Sequence, residues 1–148
     1  MKKFGKTFLV FILSVLIATL LATLFSTQFV ITGLEGAGAK VGLGDRLDMT
    51  FYDLGHLGRL YGIFIFIGLG IAFLCATIVH RFAKTKRPLI YVVAGMACFV
   101  IMLYLMQVVF FGVPIIAGAR SGLGLAFQAL AGGLAGYVFA RLTGRGRV

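Results

Sequence analysis

The sequence predicts an all-α integral membrane protein: a bundle of four transmembrane helices with a short amphipathic helix in the first outer loop. The chain has 148 residues and is 61% apolar, and only 12% of its residues are charged, against roughly a quarter in a soluble domain. A water-soluble protein of this size could not hide so much apolar surface. The apolar residues also fall into four long runs without a charge, a pattern typical of helices that cross a bilayer.

The first predicted span comprises residues 8–29 and follows a short start with three lysines. At about 1.5 Å per residue, a helix of this length crosses a hydrocarbon core of roughly 30 Å. A cleaved signal peptide is the competing interpretation, but its apolar core normally has about 7 to 15 residues and ends in a small-x-small site. The run here is longer, and Ser26-Thr27-Gln28 fits such a site poorly. We therefore predict that this segment remains a membrane span.

The connection after the first span, residues 30–58, contains all four acidic residues of the chain. Its early part, residues 33–44, is glycine-rich, and we predict irregular backbone there. From Asp45 onwards, apolar side chains such as Leu47 and Phe51 recur at helical spacing, and polar side chains form another stripe at the same period. Asp45 is also a candidate N-cap. This pattern predicts a short amphipathic helix that lies at the membrane surface and leads into the second span.

The three remaining spans are residues 60–79, 89–111 and 122–140. The fourth carries a ridge of small residues at every fourth position, formed by Gly132, Gly136 and Ala140. Such a ridge lets another helix approach closely, and either the bundle itself or a partner chain can supply that helix.

The distribution of charge orients the predicted bundle. Four crossings put both termini on one side, together with the connection between the second and third spans. These segments carry ten basic residues and no acidic one, whereas the other side carries four of each. Because short basic loops favour the cytoplasm, we predict a bacterial inner-membrane protein with both termini cytoplasmic. This topology and attraction to anionic lipids account for the net charge of +10, and nucleic acid is excluded because the basic residues form no patch interleaved with aromatics.

The outward-facing segments gather six titratable side chains that are candidates for docking or gating. They are Asp45, Asp48, Asp53, His56, Arg59 and Arg120. Arg59 and Arg120 begin the second and fourth spans, where an arginine snorkels or meets an anion, either a carboxylate or a lipid phosphate. The structural interpretation is that these charges pair and hold the amphipathic helix over the bundle. We expect no enzyme, metal or cofactor, because the Asp and His residues lack a nearby nucleophile or a second histidine at ligand spacing.

Gln107 and Gln128 are the amides that lie deepest in the predicted spans, both in the outward halves of their helices. Antiparallel helices can bring them level, so they are a candidate intramembrane polar pair, joined by a hydrogen bond or lining a polar cavity. No charged residue lies mid-span, which argues against a pump or an ion-coupled carrier.

The tyrosines and the cysteines receive simpler interpretations. The chain has no tryptophan, so its five tyrosines are the predicted interfacial anchors: Tyr52, Tyr61, Tyr91, Tyr104 and Tyr137. Cys75 and Cys98 each lie inside an apolar run and are interpreted as small core residues.

Two classes of function fit these features. The first is a non-enzymatic scaffold, assembly factor or accessory subunit of a larger membrane complex, with another membrane protein or a second copy as partner. Small size, short loops and glycine-rich helix faces favour it. The alternative is a small permease or lipid-binding protein, with a site between Gln107 and Gln128 and with Arg59 and Arg120 attracting an anionic head group. An enzyme that uses Asp48, Asp53 and His56 on a lipid ranks third.

Overall fold

The structure is a computed structural model that describes residues 2–83, 85–112 and 116–144. In these residues the elements are α1 (Lys2–Gly36), α2 (Leu43–Phe82), α3 (Arg87–Val109), a 3₁₀ turn (Ala117–Ala119) and α4 (Gly122–Gly144). Each α-helix is long and apolar enough to cross a membrane. The predicted all-α membrane bundle is therefore confirmed. Three of the ten basic residues counted above, Lys84, Arg145 and Arg147, lie outside the described residues.

The helices form a ring in which α1 and α3 each pack against both α2 and α4. Two contacts fix their relative heights. The amide of Gln128 on α4 lies level with Ala22 and Tyr61, and Gly68 on α2 lies against the sulfur of Cys98 on α3. We call the end with the α1–α2 and α3–α4 connections the acidic end. The opposite end, with both termini and the α2–α3 connection, is the basic end.

The helices are unequal in length, because α1 has 35 residues and α2 has 40, whereas α3 and α4 have 23 each. The predicted irregular segment shrinks to the six residues between Gly36 and Leu43. The predicted amphipathic helix is the first part of α2 and continues into the span without a break. A glycine inside a helix costs only about 1 kcal/mol, so Gly33, Gly44 and Gly55 are tolerated within the two helices. At 1.5 Å per residue, the α1–α2 hairpin extends roughly 10 to 20 Å past α3 and α4 at the acidic end.

The start of α2 corrects the predicted cap. The N-cap is Gly42, with extended backbone angles of φ −70° and ψ 165°, and Asp45 lies at the third helical position. The Gly42 N–H donates to Asp45 Oδ2 at 3.2 Å. A carboxylate in the first turn also interacts favourably with the helix dipole. Asp45 therefore stabilises the helix start from inside the first turn.

The small-residue ridge of α4 packs within the chain, against α3. A Cβ added to Gly132 would collide with the carbonyl oxygen of Gly95, and one added to Gly136 would collide with the carbonyl oxygen of Tyr91. The two backbones are therefore in direct contact, and Ala140 extends the ridge at 2% exposure. This ridge is thus occupied by the protein's own third helix and does not face a partner.

Candidate functional site

The acidic half of the bundle contains buried polar side chains from three helices. Gln128 is fully buried. Its Nε2 donates to the Ala22 carbonyl at 2.9 Å, and its Oε1 accepts from the Tyr61 hydroxyl at 3.1 Å. The neighbouring Thr23 is also buried, and its hydroxyl has no hydrogen-bond partner among the described residues. Because an unpaired polar group in a membrane interior costs several kcal/mol, the two Gln128 bonds fix α4 against α1 and α2.

The polar interior reaches the surface at Asp53. One helical turn beyond Thr23, the buried Thr27 hydroxyl lies 2.8 Å from Asp53 Oδ2 and 3.0 Å from the Thr23 carbonyl oxygen. A hydroxyl has one proton to donate, and a charged acceptor makes the stronger bond. The donation to half-buried Asp53 therefore joins α1 to α2 at the mouth of the polar interior. Nearer the tip of the hairpin, an ion pair between Glu35 and Arg46 joins the same two helices.

Double substitution tests the bond between Thr27 and Asp53. We expect Thr27→Val and Asp53→Asn to show a coupling of about 1 kcal/mol in a double-mutant cycle, because Thr27→Val removes the donor and Asp53→Asn replaces the charged acceptor by a weaker neutral one. The measurement is the free energy of unfolding in mixed detergent, followed by circular dichroism. Asp48→Asn is the control, since Asp48 is exposed and should not couple to Thr27. Equal coupling from the two aspartates would contradict the assignment.

The other predicted residues of the acidic end do not form a common site. Asp48, His56, Arg59 and Arg120 are all exposed. His56 stacks on Tyr52 with ring centroids 4.2 Å apart, and its Nδ1 lies 3.1 Å from the Tyr52 carbonyl oxygen. Within the described ranges, the pair between Arg46 and Glu35 is the only salt bridge. Neither Arg59 nor Arg120 therefore meets an aspartate there, and the expected pairing of these arginines with carboxylates is not formed.

The two candidate amides do not meet either. Gln107 is exposed in the last turns of α3, and its Nε2 donates to the Gly112 carbonyl at 3.3 Å. Gln128 instead points into the bundle, towards α1 and α2. The cavity beside Gln107 has a volume of about 380 Å³, is lined mainly by apolar side chains and does not include Gln128. The two amides lie at similar heights along the bundle but do not pair, because Gln107 is exposed on α3 and Gln128 faces the interior.

Four aromatic rings, one from each helix, close the basic half of the bundle. Phe73 stacks on Phe139 with centroids 4.6 Å apart, and Tyr91 lies 5.6 Å from Phe73 and 5.3 Å from Phe139. Phe11 of α1 completes the layer, at 6.1 Å from Phe73 and 6.4 Å from Phe139. The polar interior of the acidic half therefore ends at a layer of four packed rings, in which Tyr91 carries a hydroxyl.

A long apolar groove opens sideways between α2 and α3. It has a volume of about 860 Å³ and extends from Phe64 and Phe110 near the acidic end to Val79 and Leu89 near the basic end. Its lining includes several small residues from both helices: Gly68, Ala72, Cys75, Ala76, Ala94, Ala97 and Cys98. At 1.5 Å per residue its wall on α3 is about 30 Å long, which equals the thickness of a hydrocarbon core.

Some residues have roles that differ from the predicted ones. Cys75 is exposed in the groove instead of lying in the core, and Cys98 is half-buried there. Tyr61 and Tyr91 are 1% and 2% exposed and are interior residues, not interfacial anchors. Tyr91 shares a hydrogen bond of 2.8 Å with the Thr77 hydroxyl. Tyr61 lies on the same face of α2 as the buried Ile65 and Leu69, four and eight residues later, but a helix that is apolar on all sides gives no sequence signal for that burial.

Comparisons with protein-family models, with curated proteins and with solved structures find no match for this chain. Its function is therefore inferred from the polar interior, the ring layer and the two apolar cavities.

Proposed function

We propose that the protein is a non-enzymatic subunit of a larger membrane complex, and that it binds a transmembrane helix of a partner chain in the groove between α2 and α3. The observation that supports this proposal is the groove itself, which is apolar throughout and as long as a membrane span. The charge distribution supports an inner-membrane location with the basic end in the cytoplasm.

The shape of the groove favours a helix as its occupant. Transmembrane helices associate where small residues let two backbones approach closely, and small residues from both α2 and α3 line this groove. A phospholipid occupies one leaflet and would fill only about half of a groove that crosses a core of roughly 30 Å. The Gly132–Gly136 ridge is already packed against α3, whereas the small residues of the groove are open to a partner.

Charge favours a partner that differs from this chain. Arg81 and Lys86 are exposed at the basic end of the groove. Arg87 is held within the chain, because it donates to Thr143 at 2.8 Å and lies over the Tyr91 ring. Two parallel copies joined through the groove would bring two basic α2–α3 connections together, and this end of the sequence has no acidic residue to offset them. Like charges at an interface oppose association, so we propose a different chain without such a basic cluster.

Transport is a weaker proposal. A permease through the bundle needs polar groups along the whole pathway. The buried polar side chains around Gln128 lie in the acidic half, whereas the layer around Phe73 and Phe139 fills the basic half with rings.

Blocking the groove tests the proposal. Ala97 is exposed and lines the groove, so Ala97→Leu places a larger side chain in the path of the partner helix. Overpacking costs about 1–3 kcal/mol, so we expect recovery of the partner to fall at least about fivefold. A photoreactive maleimide on Cys75 captures the occupant in native membranes, and mass spectrometry quantifies it. Cys75→Ser gives the background.

Ala126→Leu is the matched control, because Ala126 is also exposed but lies on α4 outside the groove. The supporting result is a single partner chain that is recovered with Ala126→Leu and lost with Ala97→Leu. Crosslinks to lipid alone, to a second copy, or to a protein recovered equally from both variants would overturn the assignment of the groove to a partner helix.

A further inference from the structure

We infer that the cavity between α3, the 3₁₀ turn and the start of α4 binds one acyl chain of an anionic phospholipid, whose head group is held by Arg120. This site is a different cavity from the α2–α3 groove, although Ile101 and Met106 line both, and it does not rest on the function proposed above. It lies at the acidic end of the bundle.

The cavity has the size and lining of a ligand site. Its volume is about 380 Å³, and small-molecule sites are mostly apolar clefts of roughly 300–1,000 Å³ with a few polar groups. Leu103 and Tyr104 of α3, Ile116 and Ala119 of the turn region, and Leu125 of α4 line it. Gln107 contributes an amide. An acyl chain in this cavity would therefore have one amide, that of Gln107, near its outer end.

The length of the cavity selects an acyl chain over a helix. Its lining on α3 runs from Val100 to Gln107, which is about 10 Å of helix at 1.5 Å per residue. A membrane-spanning helix needs a contact surface of roughly 30 Å. A lipid tail that starts at the head-group level lies in one leaflet, about 15 Å deep, and the cavity covers about two thirds of that depth.

Arg120 gives the site its charge preference. It directly follows the lining residue Ala119, it is exposed, and none of the described residues forms an ion pair with it. Of the acidic residues on α1 and α2, Glu35 pairs with Arg46 and Asp53 accepts from Thr27. A guanidinium at the membrane interface binds phosphate oxygens through two parallel hydrogen bonds. Its uncompensated charge favours a lipid with a net negative head group.

A tryptophan reporter tests this inference directly, because the natural chain has no tryptophan. Tyr104 lines the cavity and is 66% exposed, so Tyr104→Trp places the reporter at the site. Leu60→Trp is the control reporter, because Leu60 is 56% exposed on α2, next to the other exposed arginine of the acidic end, Arg59. Each protein is reconstituted in phosphatidylcholine vesicles that contain brominated phosphatidylglycerol or brominated phosphatidylcholine, and quenching is measured.

We expect the Tyr104→Trp reporter to be quenched by phosphatidylglycerol with roughly fivefold higher relative affinity than by phosphatidylcholine, as one charge-assisted contact predicts. Adding Arg120→Gln should bring this ratio to about one, and Arg120→Lys should keep part of it. Arg59→Gln should leave the ratio unchanged. Circular dichroism and the melting temperature check that each variant keeps its fold.

Three results would overturn the inference. Equal quenching of the Tyr104→Trp reporter by both lipids would show that the site has no charge preference. A preference that survives Arg120→Gln would remove the head-group assignment. An equal preference at the Leu60→Trp reporter would mean general enrichment of anionic lipid around the protein, without a site.

Discussion

Gly136→Leu should disrupt the contact between α3 and α4 and lower the free energy of unfolding of the bundle by about 3 kcal/mol or more. The reason is geometric. A Cβ at this position collides with the carbonyl oxygen of Tyr91 and approaches the following backbone nitrogen of Val92. Backbone atoms in two packed helices cannot move aside as a flexible side chain can, so the helices must separate. We expect a lower melting temperature in detergent and loss of helical signal at lower denaturant concentration.

The control for this substitution lies on the same helix. A Cβ added to Gly122 meets nothing within 4 Å, so Gly122→Leu should change stability by less than about 0.5 kcal/mol. Gly136→Ala should fall between the two, because one methyl group already reaches the Tyr91 carbonyl. If Gly136→Leu proves as stable as Gly122→Leu, the direct contact between the α3 and α4 backbones is wrong.

The second large effect is expected at the buried amide. Gln128→Leu removes the acceptor of the Tyr61 hydroxyl and the donor to the Ala22 carbonyl. Because the Tyr61 hydroxyl is then left buried and unpaired, we expect a loss of about 1–3 kcal/mol in unfolding free energy. The measurement is reversible unfolding in mixed detergent.

Gln107→Leu is the natural comparison, because this amide is exposed and its hydrogen bond to the Gly112 carbonyl is 3.3 Å long. It should cost less than about 0.5 kcal/mol. Combining Gln128→Leu with Tyr61→Phe should cost less than the sum of the two single changes, because both remove the same hydrogen bond. Additive losses, or equal losses at Gln107 and Gln128, would contradict the role given to the polar interior.

The number and type of the helices were predictable because an uncharged apolar run of about 20 residues has few alternatives in water or in lipid. Their ends were less predictable. Nothing local in the residues from Leu43 to Phe51 shows that α2 continues into the span as one unbroken helix. The cap was missed by three residues, because the backbone of Gly42 supplies the donor and a side-chain pattern alone does not show this.

The sites were harder to predict than the helices, because height along a helix follows from counting residues but rotation about its axis depends on packing. Gln107 and Gln128 were placed at the correct end, yet only Gln128 faces the bundle centre. Asp53 turns towards Thr27 while Arg59, two turns later, is exposed. The two apolar cavities depend on the separation between neighbouring helices, and a single sequence carries no signal for it. Cys75 was therefore predicted in a core that it does not join.

The ring layer formed by Phe11, Phe73, Tyr91 and Phe139 has a consequence for the membrane as an electrical barrier. A continuous file of polar groups through a bundle would offer protons a leak that dissipates the gradient across the bilayer. In this protein, a file of water that entered from the acidic end and reached Gln128 would meet the four packed rings before the basic end. We therefore expect the bundle to stay closed to protons, although an amide and hydroxyls lie in its interior.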